Sequence, residues 1–565
     1  MKSVSGKYWE EEKIGKRIAE KTKIDHNLDD LITNHILSKN FDKEEIYSLK
    51  NEIELSNPFT KNSEFINAVN LLNNAIENND LIYIIGDYDV DGCISTSLIV
   101  KFLKSINAKY HYYIPNRFVD GYGSSLNLIK KIIIKKPNLV IMVDNGSSSH
   151  EAIDFLNRKH IKSIIIDHHE IYKPYPKSDV LINPKKNTDY SVYNYFCSGV
   201  LTYFFIDLFI KNKNLKLDFS ENLHLVLLTI VSDIMPMRKI NRQIASKVLK
   251  SISNTSDYFF KKVFEIKKIK KPIEIDDFGY LFGPMINSAG RLDDPNIIVE
   301  LFTSNNLSLK NEIINKLISL NEKRKLIEEN IIKNIDLKKM KLNKDPVIIY
   351  ENININEGVI GIIASKIKSY FNKPTIIITK SGEIYKGSAR SITNFPIGKF
   401  IKTALDMKLL DTGGGHNLAA GFTIKKKNLT RFKKFINDNF NKNFISTNYK
   451  FLSKISFNSL NKNFISNLEK IQPYGEENSN PFFLIENVKI IKSKILKNKF
   501  ISCFIKNKSG KILPAVSFHF LESDLSNNIL YNKNEVNMII QVKENFWNNK
   551  KSLKIMIIDI FNTFT

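Results

Sequence analysis

Between residues 81 and 184, five short apolar runs (LIYII, KYHYYI, NLVIMV, KSIII and DVLI) alternate with stretches of helical spacing such as STSLIVKFLKSI and HEAIDFLNRK. Strands this uniformly apolar need cover on both faces, and the intervening helices supply it. The pattern therefore predicts βαβ units around a parallel sheet. Each run stops on a polar cluster: Asp87-Tyr88-Asp89-Val90-Asp91-Gly92, Pro115-Asn116-Arg117, Asp144-Asn145-Gly146, Asp167-His168-His169 and Asn183-Pro184. Open α/β sheets bind ligands beyond the carboxyl ends of their strands, so these clusters are expected to converge on one crevice.

What converges is mostly negative. Asp87, Asp89, Asp91, Asp144 and Asp233 are hard oxygen donors, and His168 adds an imidazole. Burying such carboxylates together without a partner charge costs several kcal/mol, so a cation is expected among them. Oxygen-rich donors suit Mn²⁺ or Mg²⁺ better than a structural zinc. Two such ions side by side are the usual apparatus for displacement at phosphorus. An EF-hand is excluded, because the twelfth position counted from Asp87 is Leu98, not an acidic ligand. Taken singly, DNG reads as a turn and DHH as surface pairing or a core histidine. Together, at successive strand ends, they read as a metal centre.

Beyond residue 195 the chain looks helical, and LHLVLLTIVSDIMPM is an apolar helix closed by Asp233 and Pro236. LFGPMINSAGRLDDP (281–295) reads as a turn-rich loop, and 298–340 as a long amphipathic connecting arm. A second α/β unit follows at about 344–440. It carries KGSARS, read alone as a basic turn, and the glycine-rich DTGGGHNLAAG, where backbone amides and His416 suit an anion. From about 448 the chain turns strand-like, as in a small β-barrel of the OB type. There Phe500, Phe504 and Phe518 are candidates for base stacking, with core packing the commoner role.

Net charge is +25, which suits a polyanionic partner, yet lysine is abundant everywhere and carries little information. Arginine is scarce, at 9 residues, and Arg117, Arg291, Arg324 and Arg390 are expected to mark sites that need a planar fork. Cys93, Cys197 and Cys503 lie far apart and give neither a disulfide framework nor a zinc ribbon. The N-terminus lacks a signal-peptide core, and the greasiest run is too short for a membrane span, so a cytoplasmic protein with no membrane association is expected.

In order along the chain, GDYDVDG, PNRFVDGYG, VDNGSSSH, DHH, SDIMPM with NR, GPMINSAGRLDD, NEGVIGIIASKI, KGSARS, GGGHNLAAGF and QPYGEENSNPFF resemble the motifs of the RecJ family within the DHH phosphoesterase superfamily. The resemblance implies an α/β protein: a parallel-sheet DHH domain joined by a long helix to a second, DHH-associated α/β domain, plus a C-terminal OB-type barrel. The implied boundaries are 1–60 for an N-terminal helical segment, 61–300 for the DHH domain, 301–342 for the connecting helix, 343–445 for the associated domain and 446–565 for the OB domain.

The resemblance further implies a two-metal exonuclease that degrades single-stranded DNA 5′→3′ to mononucleotides in repair and recombination. Asp87, Asp89 and Asp144 would hold one Mn²⁺ or Mg²⁺, and Asp91, Asp144, His168 and Asp233 the other, with Asp144 bridging. His169 would join Asp89, Asp91, Asp144, His168 and Asp233 as the catalytic set, and Asp167 would orient the strand end. Arg117, Asn287, Arg291, Ser388, Arg390, Gly414, Gly415 and His416 would bind the strand. A helicase and a single-strand-binding protein are the implied partners of a monomer. The competing readings are a small-substrate phosphoesterase acting on an oligoribonucleotide or cyclic dinucleotide, and an inactive single-strand-binding scaffold. Two departures stand out: Ile355-Asn356-Glu357-Gly358 replaces a common Trp-His-Gln-Gly, and Arg238 stands where an acidic residue is usual. Both are expected to bear on rate or strand affinity.

Overall fold

The computed structural model describes residues 2–562 apart from 118, 121–122, 187–189, 253–256, 343–344, 441–447, 520, 522 and 548–549. The expected boundaries after residues 342 and 445 adjoin residues outside this set, and PNRFVDGYG is described only in part. The chain forms two compact units: residues 55–236 with 247–441, and residues 1–54 with 237–246 and 442–565.

The first unit opens with the expected parallel sheet. Its strands lie in the order Tyr110–Tyr113, Ile82–Ile85, Leu139–Val143, Lys162–Ile166, Val180–Ile182, and every pairing is parallel. Ile82–Ile85 and Leu139–Val143 are buried at every residue, as their uninterrupted apolar character demands. The strand order reverses at Ile82–Ile85, so the crevice opens at the ends of that strand and its neighbour Leu139–Val143. Asp87 and Asp144 follow those two strands.

The segment expected as a turn-rich loop at 281–295 is instead mostly helix. A π turn, Phe278–Phe282, runs into the helix Gly283–Leu292. Glycine and proline misled the reading. Pro284 sits in the first turn, where its missing N–H costs nothing. Gly290 is required because a Cβ there would stand 2.1 Å from the Tyr88 carbonyl oxygen. The connecting arm is three helices, Asn296–Thr303, Leu307–Asn334 and Leu337–Leu342. Its long member is capped by Asn306, whose side chain accepts from the amides of Ser308 and Leu309.

After the arm comes a mixed sheet in the order Thr412–His416, Ala419–Ile424, Ile384–Arg390, Thr375–Ser381, Ile348–Glu351. KGSARS is therefore part of a strand and not a turn, and GGGH lies on the edge strand of the same sheet, with Ala419–Ile424 paired between the two. Arg324 marks no anion site. It lies on the long helix, bonded to Asn321 and Glu328, and Lys366 reaches the other Glu328 oxygen at 2.9 Å.

In the second unit a sheet in the order Ser453–Lys454, Phe483–Leu496, Phe500–Asn507, Ile512–Ser517, Lys550–Asn562, Val536–Trp547 closes on itself, because Val536–Trp547 also pairs with Phe483–Leu496. The N-terminal helices add Leu28, Ile32, Ile36 and Phe41 to the barrel's apolar core. Arg238 is structural here. It pairs with Glu45 at 2.6 Å and donates to the carbonyls of Lys39 and Asn40, so the expectation that it tunes rate or strand affinity finds no support in its contacts. Core packing, the commoner role weighed for the barrel aromatics, fails for Phe504 and Phe518, which are 39% and 61% exposed. Among the described residues no helix is long and apolar enough to cross a membrane.

Candidate active site

The acidic loop turns back on itself immediately after the strand Ile82–Ile85. Gly92 allows this: a Cβ there would come within 2.4 Å of the Asp87 backbone. Asp89 then caps the helix Val90–Ser105 by accepting from the Gly92 amide, and Asp91 points from the first turn of that helix. Asp144 ends its own strand in the left-handed region, φ 61°, a conformation that aspartate tolerates better than most residues. Asp233 follows the helix Leu223–Ser232, and His168 follows the strand Lys162–Ile166.

These positions bring the expected residues together. The Nε2 of His168 lies 3.7 Å from Asp91, 3.4 Å from Asp144 and 3.3 Å from Asp233. Three sets of side chains each present ligand atoms within 4.8 Å of one another: Asp87, Asp89 and Asp144; Asp91, His168 and Asp233; and Asp144, His168 and His169. Burial, followed by repulsion from neighbouring carboxylates, drives the Asp87, Asp91, Asp144 and Asp233 carboxyls well above the usual carboxylate range. Asp87 Oδ1, Asp144 Oδ2 and His168 Nδ1 are buried without a hydrogen-bond partner. Crowded carboxylates with orphaned oxygens beside an imidazole are the donor set of a hard divalent cation.

Asp167 has a different part. One oxygen accepts from the amides of His168 and His169 and from His169 Nδ1 at 2.7 Å, and the other accepts from the Ser147 amide. Burial opposes its charge, but the His169 charge and these bonds outweigh burial and hold the carboxyl far below its usual range. Burial likewise opposes a charged His169, yet Asp167 lifts it to about 9. The pair fixes both histidines at the strand end.

Across the crevice stands a positive group. The Arg117 guanidinium lies 4.2 Å from the centre of the Tyr88 ring. Arg291 donates to the Gly358 carbonyl at 2.9 Å, and Arg390 donates to Ser388 Oγ and the Ala389 carbonyl. Among the described residues no carboxylate pairs with Arg117, Arg291 or Arg390. Burial, together with the charges of Arg117, Arg390 and Arg324, lowers Arg291 to about 9. Planar forks gathered without carboxylates suit phosphates. Asn287 lies one turn before Arg291 on the same helix. Gly414 and Gly415 lie on the edge strand that ends at His416, whose ring stacks at 23° over His169 with centroids 6.1 Å apart.

Sequence reading missed several supports. The amides of Ser198 and Gly199, at the start of the helix Ser198–Asn212, each donate to Asp91 at 2.8 Å, and Ser198 Oγ donates to Asp144 at 3.0 Å. Asn183, one of the strand-end residues expected at the crevice, has a bridging part that the sequence did not show: it ties Ser147 to the His169 carbonyl. Glu357, at the departure from the usual motif, pairs with Lys386 at 2.9 Å. The only available signal for Ser198 was a small-residue pair opening an apolar helix.

Known families match three stretches of the chain: the DHH family, N-terminal domain at residues 81–230, the DHHA1 domain at 344–442 and the RecJ OB domain at 453–559. The single-stranded-DNA-specific exonuclease RecJ of Haemophilus influenzae is 30% identical over 396 residues, covering 66% of this chain and 68% of that protein. The RecJ of Bacillus subtilis is 26% identical over 510 residues, covering 87% and 62%. The crystal structure of RecJ with Mn²⁺ from Thermus thermophilus superposes with a TM-score of 0.83 at 20% identity, covering 99% of this chain and 80% of that one.

Proposed function

The chain belongs to the RecJ family of single-stranded-DNA-specific exonucleases, and from that premise we propose that it hydrolyses single-stranded DNA from the 5′ end to mononucleotides, in DNA repair and recombination. The observation that carries this reading is one crevice holding crowded carboxylates with orphaned oxygens opposite three arginines, Arg117, Arg291 and Arg390, that no carboxylate pairs among the described residues.

In this reading Asp87, Asp89 and Asp144 hold one Mn²⁺ or Mg²⁺ and Asp91, Asp144, His168 and Asp233 a second. When bound, such ions supply an activated water and neutralise charge on the phosphoryl oxygens. The protein's own groups do the rest. Arg291 and Arg390, with Ser388, grip backbone phosphates, and Arg117, Asn287, Gly414 and Gly415 line the strand's path. His416, above His169, reaches the phosphate that is cut. Asp167 keeps His169 oriented beside it. Phosphates held by rigid forks place the reacting atoms, and that placement is a large part of the rate.

Residues 61–300 serve as the catalytic domain, 301–342 as the connecting helix, 343–445 as the associated domain and 446–565 as an OB domain that adds strand affinity, behind the segment 1–60. The enzyme works as a cytoplasmic monomer, fed by a helicase and a single-strand-binding protein. The match to an OB domain speaks against a small-substrate phosphoesterase, and the retained acidic set speaks against an inactive scaffold.

The test uses single-stranded and duplex oligonucleotides labelled separately at each end, with Mn²⁺, Mg²⁺ or EDTA. Metal-dependent release of mononucleotides from the 5′ end of single strands, absent in Asp89→Ala, is expected. Binding without shortening under any metal refutes the enzyme, and cleavage restricted to the shortest oligonucleotides points to the small-substrate phosphoesterase.

A further inference from the structure

Three residues beyond His169 the chain presents an aromatic side chain to solvent. Tyr172 is 63% exposed, although Ile171 beside it is buried in the core and Tyr175 packs against that same cluster. The ring is thus carried on an anchored segment. Exposed tyrosines are common, but this one has a cation at its face: Lys402 Nζ stands 4.1 Å from the ring centre.

Lys402 comes from the other α/β lobe of the same unit, on the helix Ile397–Asp406. That helix lies tight against the histidine of the edge strand. A Cβ on Gly398 would meet the His416 carbonyl oxygen at 2.5 Å, and the Ile397 amide donates to the Asn417 carbonyl. The position of Lys402 is therefore coupled to that of His416, as the position of Tyr172 is coupled to that of His169. Lys173 follows Tyr172 and is exposed, with its Nζ 6.0 Å from the Tyr175 ring. Neither Lys402 nor Lys173 pairs with a carboxylate among the described residues; the nearby acidic group, Glu170, lies against Lys185 at 3.1 Å and His416 at 3.9 Å.

Aromatic rings interleaved with free ammonium groups beside a phosphate-cutting site form the lining that single-stranded nucleic acid uses, because every base has a face to stack and every nucleotide a charge to neutralise. We propose that Tyr172 and Lys402 form a subsite for one nucleotide flanking the cleaved bond, the tyrosine ring stacking on its base and the ammonium meeting its phosphate. The subsite rests on the reading of the crevice as a single-strand nuclease. It reads no sequence, since stacking accepts any base, and it requires a base free of its complement, so it favours single strands over duplex.

Fluorescence anisotropy in EDTA tests this with a labelled oligonucleotide and a series carrying one abasic site at each successive position from the 5′ end. Tyr172→Ala is expected to weaken binding by about 5- to 150-fold, the range for loss of one base–aromatic stack, while Tyr172→Phe stays within about 2-fold. Lys402→Gln is expected to lower the salt slope of log K by about 0.7, the value of one phosphate on a single strand. At one position in the series, the abasic site weakens binding to the unmodified protein but costs nothing further in Tyr172→Ala. That position-specific non-additivity is beyond the reach of a general folding defect. Tyr172→Ala binding within 2-fold of the unmodified protein, or equal abasic penalties at every position in both proteins, overturns the subsite while leaving the nuclease reading intact. Failure of the unmodified protein to bind single strands both in EDTA and with Ca²⁺ in its place overturns both.

Discussion

His35 makes a sharp test of the N- and C-terminal unit. Its side chain is fully buried, and Nε2 lies 2.8 Å from Asn478 Oδ1. The Asn478 amide nitrogen already donates to the carbonyls of Ile471 and Pro473, so its oxygen must accept and His35 must carry its proton on Nε2. Nδ1 is then bare and has no partner. A second proton would put an unsolvated charge there, facing Lys39, Arg242 and Arg238. Burial, the largest cause, and these cations together lower His35 to about 4 from 6.5, against the Asn478 bond, which raises it.

The folded-state value is depressed, so between about pH 6.5 and 4 the unfolded chain binds a proton that the folded chain refuses. Stability is therefore retained above 6.5 and lost as pH falls through this window, by about 3 kcal/mol in total at 1.36 kcal/mol per unit. His35→Gln can keep a donor toward Asn478 but does not titrate. Urea unfolding at several pH values, followed by tryptophan fluorescence, reads this unit alone, because the chain's 2 tryptophans, Trp9 and Trp547, both lie in it. The unmodified protein should lose about 3 kcal/mol more than His35→Gln between pH 7 and pH 4. Equal losses in the two proteins would refute the buried neutral imidazole.

Arg238→Ala leaves Glu45 buried without its cation and should destabilise the same unit by about 3 kcal/mol, read by urea unfolding, without slowing cleavage of short oligonucleotides. Gly290→Ala forces the helix carrying Arg291 away from Tyr88, and kcat/KM on single strands should fall by about 100-fold while the tryptophan-reported unfolding stays unchanged. If Arg291 holds a backbone phosphate as proposed, Arg291→Gln should lower the salt slope of single-strand binding by about 0.7 in anisotropy at several salt concentrations.

The parallel sheet was legible because doubly covered strands leave continuous apolar runs, and most of the acidic site because Asp87, Asp144 and His168 follow the ends of such strands, whereas Asp233 closes an apolar helix. The helix Gly283–Leu292 was hidden by residues whose reasons are tertiary: Gly290 exists for the approach to Tyr88, and proline is harmless in a first turn. KGSARS looked like a turn because its strand carries small and polar residues in place of an apolar run. The Ser198 and Gly199 amides that hold Asp91 are backbone groups, which no side-chain pattern reveals. The association of residues 1–54 with the C-terminal barrel joins segments more than 380 residues apart, beyond any local signal.

Carboxylates crowded with orphaned oxygens in this way are expected to take up divalent cations without any substrate. Calorimetric titration of Mn²⁺ into metal-free protein, alongside Asp144→Asn, tests it most directly. Asp144 offers ligand atoms to two of the three sets, so two ions should bind per unmodified chain, and both should bind markedly more weakly in the variant. No Mn²⁺ binding, or binding indifferent to Asp144→Asn, would contradict it.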